Sequence, residues 1–445
     1  MKNRILDKLT IPQIVVSIYM SLILFGGFLL SLPMSSKSGT WTNFIDAMFT
    51  ATSAICVTGQ VTLNTAEHWS VIGQTIIITL IQIGGLGFLT IWMLFFTIRG
   101  AKINLKQRNV VLETLNLSSS YGMTDVVKNI VKVTLSIQAL GALALSFVLI
   151  PKLGLKTGFF YSIFHSISAF NNAGFDLFGD SLIGFQDNSF VLLTIASLIF
   201  SGGLGFIIWM DILSFPKNKK LTRYSKFTLI MTGIVLVVSI LFIGLSEWRW
   251  GTFSHLSFGD QLANIIFMAV TPRTAGYANI DYVDVSHAGL FMTFLLMFIG
   301  GSSGSTAGGV KVSTIGLVVM FMYRMFKGEE INVFSRHIPY ENVRRAFFIV
   351  FVGIIMVISS TMILFITEEI PQGFGMEYVL MEVLSCFGTV GLTLGLTPDL
   401  TVTGKFVLML LMFVGRVGLM TFFWSLGRHK TESKVHYPDM SIMVG

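Results

Sequence analysis

Long apolar runs separated by short polar loops dominate this sequence. A helix needs about 20 apolar residues to cross the hydrocarbon core of a bilayer. Eight runs are candidates for such helices: residues 11–32, 71–98, 126–150, 189–213, 227–246, 288–323, 346–366 and 405–427. The pattern predicts an all-α membrane protein with eight transmembrane spans.

A shorter segment of mixed polarity follows the first, third, fifth and seventh runs. These segments are Trp41–Ala54, Gly158–Ser168, Gln261–Ala269 and Met376–Cys386. Each is too short to span and suits a half helix that enters the membrane and turns back. Non-helical backbone at that depth is tolerated only where it is buried in protein or lines a cavity. The backbone at the end of each half helix is therefore either structural or part of a pathway.

A glycine-bearing turn follows each predicted half helix. The turns read Cys56-Val57-Thr58-Gly59, Asn171-Asn172-Ala173-Gly174, Arg273-Thr274-Ala275-Gly276 and Gly388-Thr389-Val390-Gly391. Their final glycines are 115, 102 and 115 residues apart. The same unit thus recurs four times at nearly constant spacing, which indicates an internal repeat.

A second set of glycines lies inside the second run of each unit. Gly84, Gly202, Gly300 and Gly415 follow their turn glycines by 25, 28, 24 and 24 residues. A single glycine pair marks close helix packing, but four at matched offsets support repetition. We therefore predict four covalently linked helix–half helix–turn–helix repeats around a pseudo-fourfold pore. The repeats cover residues 10–98, 126–213, 225–324 and 343–427, followed by a tail at 428–445.

The turn regions resemble those of a known superfamily. The segments ATSAICVTGQ, SAFNNAGF, AVTPRTAGY and CFGTVGLTLGLTP resemble the four filter regions of the bacterial Ktr membrane subunit. The resemblance to the Ktr/Trk/HKT superfamily of potassium transporters extends from about residue 10 to the last segment, HYPDMSIMVG. Eight core spans without extra N-terminal helices favour the Ktr type over the Trk type.

The resemblance implies potassium uptake through a channel-like pore in the plasma membrane of a bacterium. It also implies a homodimer, each chain with its own pore, on a cytoplasmic ring of nucleotide-binding RCK-type subunits. The nucleotide is then expected on the partner, and no cofactor on this chain. The tail from about His436 to Gly445 is expected to pack at the dimer interface.

The turns have the composition that a potassium filter requires. Backbone carbonyls replace the water shell of the ion, and glycine at positive φ turns them inward. The predicted filter residues are Val57, Thr58, Gly59, Asn172, Ala173, Gly174, Thr274, Ala275, Gly276, Thr389, Val390 and Gly391. Potassium there is the only metal ion expected. The three threonines are expected to add hydroxyl oxygens or to support the turns through hydrogen bonds. Asn171 and Asn172 are expected to support the turns rather than to bind the ion.

Glycine in all four turns favours potassium, because in the family a serine in the first turn accompanies sodium transport. Sodium transport or sodium-coupled transport is the alternative function.

The sixth run is interrupted by ten small residues. They are Gly300, Gly301, Ser302, Ser303, Gly304, Ser305, Thr306, Ala307, Gly308 and Gly309. Each interior glycine costs a helix roughly 1 kcal/mol, and the other repeats lack this insertion. In the family the matching segment is an intramembrane loop that gates the pore.

One arginine lies within the eighth run. Arg416 costs roughly 2.5–3.5 kcal/mol to insert there, so it should face the interior. Carbonyls of the loop 300–309 are its expected acceptors, and the alternative is that it snorkels to the interface. Lys311 is expected at the interface.

Composition and charge agree with a membrane protein. The chain of 445 residues is 53% hydrophobic and 12% charged, against about 25% charged in soluble domains. Its net charge of +7 could indicate nucleic-acid binding, but the basic residues cluster in loops that alternate with acidic ones. The basic clusters are Arg99, Lys102, Lys106 and Arg108; Lys217, Lys219, Lys220, Arg223 and Lys226; and Arg324, Lys327, Arg336, Arg344 and Arg345. This positive-inside pattern predicts a lipid environment, no nucleic-acid partner and both termini in the cytoplasm.

Two other classes of protein fit less well. Gly301-Ser302-Ser303-Gly304 matches a pattern of intramembrane serine proteases, but a serine nucleophile needs a histidine within hydrogen-bond reach. Only His165, in the second half helix, lies in an apolar segment. The chain also lacks the usual motifs for ATP, dinucleotide or zinc chemistry, so we predict that it is not an enzyme.

A conventional secondary transporter would place carboxylates in its spans. Asp46 and Glu382 lie instead in half helices, where we expect structural or electrostatic roles.

Overall fold

The computed structural model describes residues 9–87 and 123–427. The predicted tail 428–445, residues 88–98 of the run 71–98 and the basic loop from Arg99 to Arg108 lie outside the described residues. The helices are α1 (Ile11–Ser31), α2 (Phe44–Cys56), α3 (Thr65–His68), α4 (Val71–Leu86), α5 (Met123–Leu153), α6 (Leu155–Phe170), α7 (Ser189–Gly203), α8 (Phe206–Asn218), α9 (Arg223–Trp250), α10 (Phe258–Val270), α11 (His287–Phe298), α12 (Val312–Phe326), α13 (Tyr340–Thr367), α14 (Met376–Gly388), α15 (Val402–Val417) and α16 (Leu419–Leu426). A hairpin of β1 (Asn332–Val333) and β2 (Arg336–His337) joins α12 to α13.

Four helices are long and apolar enough to cross a bilayer without interruption. They are α1, α5, α9 and α13, with mean hydropathies of 2.2, 2.1, 2.6 and 2.8 over their most apolar windows. They coincide with the first, third, fifth and seventh predicted runs. Their outer faces expose large apolar side chains such as Leu241 and Phe351. That arrangement suits contact with lipid rather than water.

The four predicted half helices are present as α2, α6, α10 and α14. They contain 13, 16, 13 and 13 residues, and each ends at one of the glycine turns. Side chains begin two of them: Asn43 accepts from the Ile45 N–H, and Ser257 accepts from the Asp260 N–H. Their C-terminal halves are buried, so the interior of the protein is built from the short helices and the long ones surround it.

The predicted spans at 189–213 and 405–427 are not single continuous helices. The first is broken between α7 and α8 by a bend of 97°, and the second between α15 and α16 by a bend of 106°. Gly205 and Gly418 stand at the breaks with φ of +90° and +93°, a conformation that glycine adopts without steric cost. Gly87, with φ of +78°, likewise ends α4. The length of each apolar run did not reveal these bends, because the apolar composition continues through them.

The sixth run is also divided, as predicted, into α11 and α12 around residues 299–311. In the described ranges there are thus four uninterrupted span-length helices and two bent pairs that pass the same test. The total of eight spans stays a prediction, because the continuation of α4 lies outside those ranges.

The second set of glycines allows backbones to approach closely. An added Cβ on Gly84, Gly202 or Gly415 would collide with the carbonyl oxygen of Ile55, Phe170 or Phe387, respectively. Each of those carbonyls lies four residues before a turn glycine. Three of the second helices therefore touch the carboxyl end of their half helix at the same point. In the third repeat, Gly300 faces the carbonyl of Gly308 in its own loop instead.

Two buried carboxylates join helix ends. Glu247, at the end of α9, accepts from the hydroxyls of Ser286 at 2.5 Å and Thr252 at 2.6 Å. Glu368 follows α13 and accepts from the hydroxyl of Thr401 at 2.6 Å and its N–H at 2.8 Å. Ser286 and Thr401 cap α11 and α15. The same device thus fixes the second helix of the third and fourth repeats.

A glycine substitution tests this packing. Gly202→Ala should lower the thermal stability of the purified protein, because overpacking against a backbone carbonyl typically costs about 1–3 kcal/mol. Gly233→Ala in α9 is the matched control, since nothing lies within 4 Å of its added Cβ. We expect Gly233→Ala to be neutral or slightly stabilising. The fraction of monodisperse protein after heating measures both, and equal behaviour of the two variants would contradict the packing role.

Candidate functional site

The four glycine turns, residues 57–59, 172–174, 274–276 and 389–391, form a closed ring of contacts. An added Cβ on Gly59 would lie 2.5 Å from the Ala173 carbonyl oxygen, and one on Gly174 would lie 2.6 Å from that of Ala275. A Cβ on Gly276 would meet the Val390 carbonyl oxygen, and one on Gly391 would meet that of Thr58. The series returns to its starting turn. The four turns therefore surround one point, with backbone in contact with backbone.

The backbone of each turn alternates in conformation. Each glycine has positive φ, at +89°, +68°, +72° and +98° in chain order. The residue two positions earlier is also left-handed: Val57, Asn172, Thr274 and Thr389 have φ of +60°, +60°, +81° and +51°. Such non-glycine conformations cost on the order of 1–3 kcal/mol each and persist where the surroundings enforce them, often at functional sites.

Hydroxyl groups hold each turn from behind. Ser53 and Ser385 accept from the N–H groups of Gly59 at 3.0 Å and Gly391 at 2.9 Å. In the other two turns the hydroxyl donates instead, from Ser168 to the Phe175 carbonyl at 2.8 Å and from Thr271 to the Tyr277 carbonyl at 2.6 Å. Sequence reasoning missed these residues. The available signal was a serine six positions before the glycine in three of the four turns.

The polar side chains of the turns differ in their partners. Asn172 and Thr274 are hydrogen-bonded to each other at 3.1 Å, which joins the second and third turns. Asn171 donates to Gln82 of α4 at 2.8 Å. The hydroxyls of Thr58 and Thr389 are buried and have no hydrogen-bond partner among the described residues. These two hydroxyls therefore have hydrogen-bonding capacity that the described residues do not use.

Backbone dipoles contribute to the electrostatics of the ring. The carboxyl ends of the half helices run directly into the turns, and that end of a helix carries partial negative charge. Across the ranges 9–87 and 123–427, no group of His, Cys, Asp and Glu side chains has metal-binding geometry. The ring thus offers carbonyl and hydroxyl oxygens without fixed anionic ligands. Such a set suits a monovalent cation that must leave again.

The interrupting loop 300–309 lies directly against the ring. A hydrogen bond joins the two ends of the loop: the Gly300 N–H donates to the Val310 carbonyl at 2.8 Å. A Cβ on Gly308 would collide with the Thr389 side chain, and one on Gly309 would lie 3.3 Å from the Gly388 Cα. A Cβ on Gly300 would lie 3.5 Å from the Thr274 methyl group. Small residues in this loop therefore permit contact with the third and fourth turns.

The same loop is bonded to the break in the fourth predicted span. The N–H groups of Ser302 and Thr306 donate to the carbonyls of Gly203 at 3.0 Å and Gly202 at 3.3 Å. The Phe206 N–H, at the start of α8, donates to the Gly304 carbonyl at 2.8 Å. The bend between α7 and α8 thus exposes backbone groups that the loop satisfies.

Arg416 connects the loop to the first repeat. Its guanidinium donates to the Thr306 carbonyl of the loop and to the carbonyls of Gly84 and, at 3.1 Å, Gly85. A loop carbonyl was the expected acceptor, but the two α4 carbonyls were missed. Lys311, which was expected at the interface, donates to the Ala307 carbonyl at 2.5 Å. The loop folds back over this lysine and brings a carbonyl to it.

A cavity of about 880 Å³ lies beyond the loop. Ser303, Lys311 and Arg416 line it, together with Tyr19 of α1 and Trp424 of α16. Gly309 lines this cavity and also contacts the fourth turn. The loop therefore stands between the ring and the cavity.

The protease alternative lacks its catalytic pair. His165 accepts from the Leu177 N–H at 3.2 Å through Nε2, and its Nδ1 lies 2.7 Å from the Tyr161 carbonyl. Both ring nitrogens are thus engaged by backbone of the second repeat. The buried Ser302 hydroxyl has no hydrogen-bond partner in the described part of the chain. No serine–histidine dyad forms between these two residues.

Comparison with known proteins agrees with this architecture. The family model of TrkH, a cation transport protein, matches residues 12–426. The chain is 49% identical to the potassium/sodium uptake protein NtpJ of Enterococcus hirae, over 100% of this chain and 99% of that protein. It is 38% identical to the Ktr system potassium uptake protein B of Bacillus subtilis, over 98% and 97% of the two chains. The fold matches the crystal structure of the potassium transporter TrkH from Vibrio parahaemolyticus with a TM-score of 0.74 at 19% identity, over 96% of this chain and 86% of that chain.

The chain belongs to the TrkH family of cation transport proteins. It is a predominantly helical, multi-pass membrane protein and a transporter rather than an enzyme, as predicted from its sequence. The resemblance drawn from the turn segments is confirmed.

Proposed function

We propose that this protein takes up potassium across the plasma membrane through a pore centred on the ring of glycine turns. The closed series of glycine–carbonyl contacts is the observation that carries the proposal, because it gathers backbone oxygens from four parts of the chain around one point. The names of the two relatives above, which include potassium uptake, support it. The fourfold repeat around one axis is part of the same proposal.

The twelve predicted filter residues would act through their backbone. Several oxygens must replace the water shell together, since no single contact offsets the cost of dehydrating a cation. Neutral carbonyls bind the ion without holding it permanently. The unpaired hydroxyls of Thr58 and Thr389 would supply further oxygens from the first and fourth turns.

Sodium transport is the second candidate, since the relative with 49% identity is a potassium/sodium uptake protein. Uptake of radioactive potassium and sodium into liposomes containing the purified protein separates the two. We expect potassium uptake that unlabelled potassium suppresses far better than sodium does. Equal suppression by both ions, or sodium uptake alone, would favour the second candidate.

Substitution of the first turn glycine tests the filter directly. Gly59→Ser should lower the ratio of potassium to sodium uptake about tenfold, a change of about 1.4 kcal/mol. Its φ of +89° is strained for serine, and its Cβ would lie 2.5 Å from the Ala173 carbonyl oxygen, so the ring must shift. The ratio is measured in the liposome assay.

Gly39→Ser is the matched control for that variant. Gly39 also has positive φ, at +68°, but nothing lies within 4 Å of its added Cβ. We expect it to keep the wild-type ratio. If Gly59→Ser kept that ratio as well, the first turn would not belong to the filter.

We further propose that the loop 300–309 gates the pore and that Arg416 stabilises its closed position. Support comes from the contacts of Gly308 and Gly309 with the fourth turn and from the bond between Arg416 and the Thr306 carbonyl. Because Arg416 also binds α4, it connects the proposed gate to the first repeat.

Removal of this tie should open the gate. Hydrogen bonds to a charged group contribute roughly 1.5–3 kcal/mol, so Arg416→Ala should shift the closed–open equilibrium by about one to two powers of ten. Potassium flux should rise with selectivity near wild type, and deletion of residues 302–307 should act more strongly in the same direction. Fluxes per folded protein are compared in liposomes.

Two further variants sharpen the gate experiment. Arg416→Lys keeps the charge but cannot bridge several carbonyls with a planar fork, so it should give an intermediate flux. Arg344→Ala removes an exposed arginine that pairs with Glu341 at 2.9 Å and should change nothing. A folded loop deletion with flux no higher than wild type would refute the gate, and normal flux in Arg416→Ala would refute only the role of the arginine.

We also propose a homodimer on a cytoplasmic ring of RCK-type subunits that carry the nucleotide, with both termini in the cytoplasm. The name of the Bacillus relative, a Ktr system protein B, supports a multi-component system. Truncation after Lys434 should weaken the dimer, because the tail 436–445 is expected at its interface. Mass photometry of the purified protein measures the dimer, and an intact dimer after truncation would refute this role of the tail.

A further inference from the structure

Glu382 is a fully buried carboxyl group behind the ring of turns. It lies in α14 and has 0% of its surface exposed. In the described part of the chain, no basic side chain forms an ion pair with it, although buried carboxylates usually have one. The transport mechanism proposed above assigns no role to Glu382.

Neutral donors surround the carboxyl group. The amide of Gln60 and the hydroxyls of Thr393 and Thr397 donate to it, the last at 2.8 Å. Thr397 accepts from the Gln60 amide at 2.7 Å, and Thr393 accepts from the Gly395 N–H at 2.8 Å. Each hydroxyl thus accepts one bond and is placed to donate to Glu382. As a carboxylate, Glu382 can accept all three of these bonds.

These bonds lead to two turns of the ring. Gln60 follows Gly59 in the chain, and its side-chain amide oxygen Oε1 accepts from the Ser385 hydroxyl at 3.0 Å. Ser385 in turn accepts from the Gly391 N–H at 2.9 Å. One carboxylate thus connects the glycines of the first and fourth turns. These are also neighbours in the ring, where Gly391 meets the Thr58 carbonyl.

The corresponding positions of the other repeats carry no carboxylate. Nine residues before the turn glycine, where the fourth repeat has Glu382, stand Thr50, His165 and Phe267. Between the second and third turns, the Tyr277 hydroxyl donates to the Phe175 carbonyl at 2.9 Å, which is a neutral bond. Of these four corresponding positions, only that of the fourth repeat carries a carboxyl group, and it lies where the first and fourth turns meet. No consecutive chain segment links these two repeats, so contacts between them must align them.

We propose that Glu382 is a positioning residue that sets the preference for potassium over sodium. Its hydrogen bonds hold the first and fourth turns at the spacing that the larger ion requires. This inference rests on the proposed function, because it presupposes that the ring is the filter.

The test is Glu382→Gln in liposomes, with potassium and sodium uptake measured per folded protein. The new amide nitrogen would face donors, and the network would lose at least one bond to a charged group. Since hydrogen bonds to a charged group are stronger than those between neutral groups, we expect the ratio of potassium to sodium uptake to fall on the order of tenfold. Addition of Gln60→Glu to this variant exchanges the carboxylate and the amide across the junction and should restore most of the ratio.

Two further variants make the test decisive. Glu377→Gln removes the same charge from the first turn of the same helix, where the carboxylate accepts from the Gly375 N–H, and should leave the ratio unchanged. Gln60→Leu breaks the network from the other side and should lower the ratio. It should fold, because Leu392 occupies the matching position after Gly391. It therefore decides the outcome if Glu382→Gln does not insert.

The possible results are distinct. Parallel loss of potassium and sodium uptake in both network variants, or an unchanged ratio in a folded one, would overturn the role of Glu382. A wild-type protein that takes up no potassium would refute the proposed function itself. A lower ratio, restored by the exchanged pair and not reproduced by Glu377→Gln, would support the proposal.

Discussion

The contact between each turn glycine and the carbonyl oxygen of the next turn is the constraint on which this structure depends. A Cβ on Gly59 would lie only 2.5 Å from the Ala173 carbonyl oxygen, so no side chain fits there without movement of the backbone. The half helices must therefore converge closely enough for their turns to touch. The second helices must in turn come close behind them, which is why Gly84, Gly202 and Gly415 lie against half-helix carbonyls.

The third repeat departs from this pattern, because its loop takes the place of the contact with the half helix. Its glycine at position 300 contacts Gly308 of the loop rather than the half helix. The loop then uses the carbonyls that the broken α7 leaves free, together with the guanidinium of Arg416. Because buried backbone groups must be paired, a segment without helical structure is held here by the breaks in its neighbours.

Polar side chains join the first and last repeats. Lys405 of α15 pairs with Asp46 of α2 at 2.7 Å, and Gln13 of α1 donates to the Ser425 carbonyl of α16 at 3.2 Å. Glu382 and Arg416 add bonds across the same junction. In an environment where apolar burial gives helices little reason to associate, packing and hydrogen bonds determine which helices meet. Directional bonds at this junction align the ends of the chain.

The sequence by itself determined the helical membrane class, the family and the places where half helices and turns lie. Apolar run length and regular glycine spacing are local signals, and α2, α6, α10 and α14 follow them within a few residues. Only the tertiary structure decided that α7 and α15 bend sharply, that Lys311 lies beneath a loop carbonyl and that Ser53 and Ser385 hold glycine N–H groups. It also brought Gln60 to Glu382, 322 residues away in the chain. Such pairs depend on how distant helices pack, and no local pattern of residues encodes that distance.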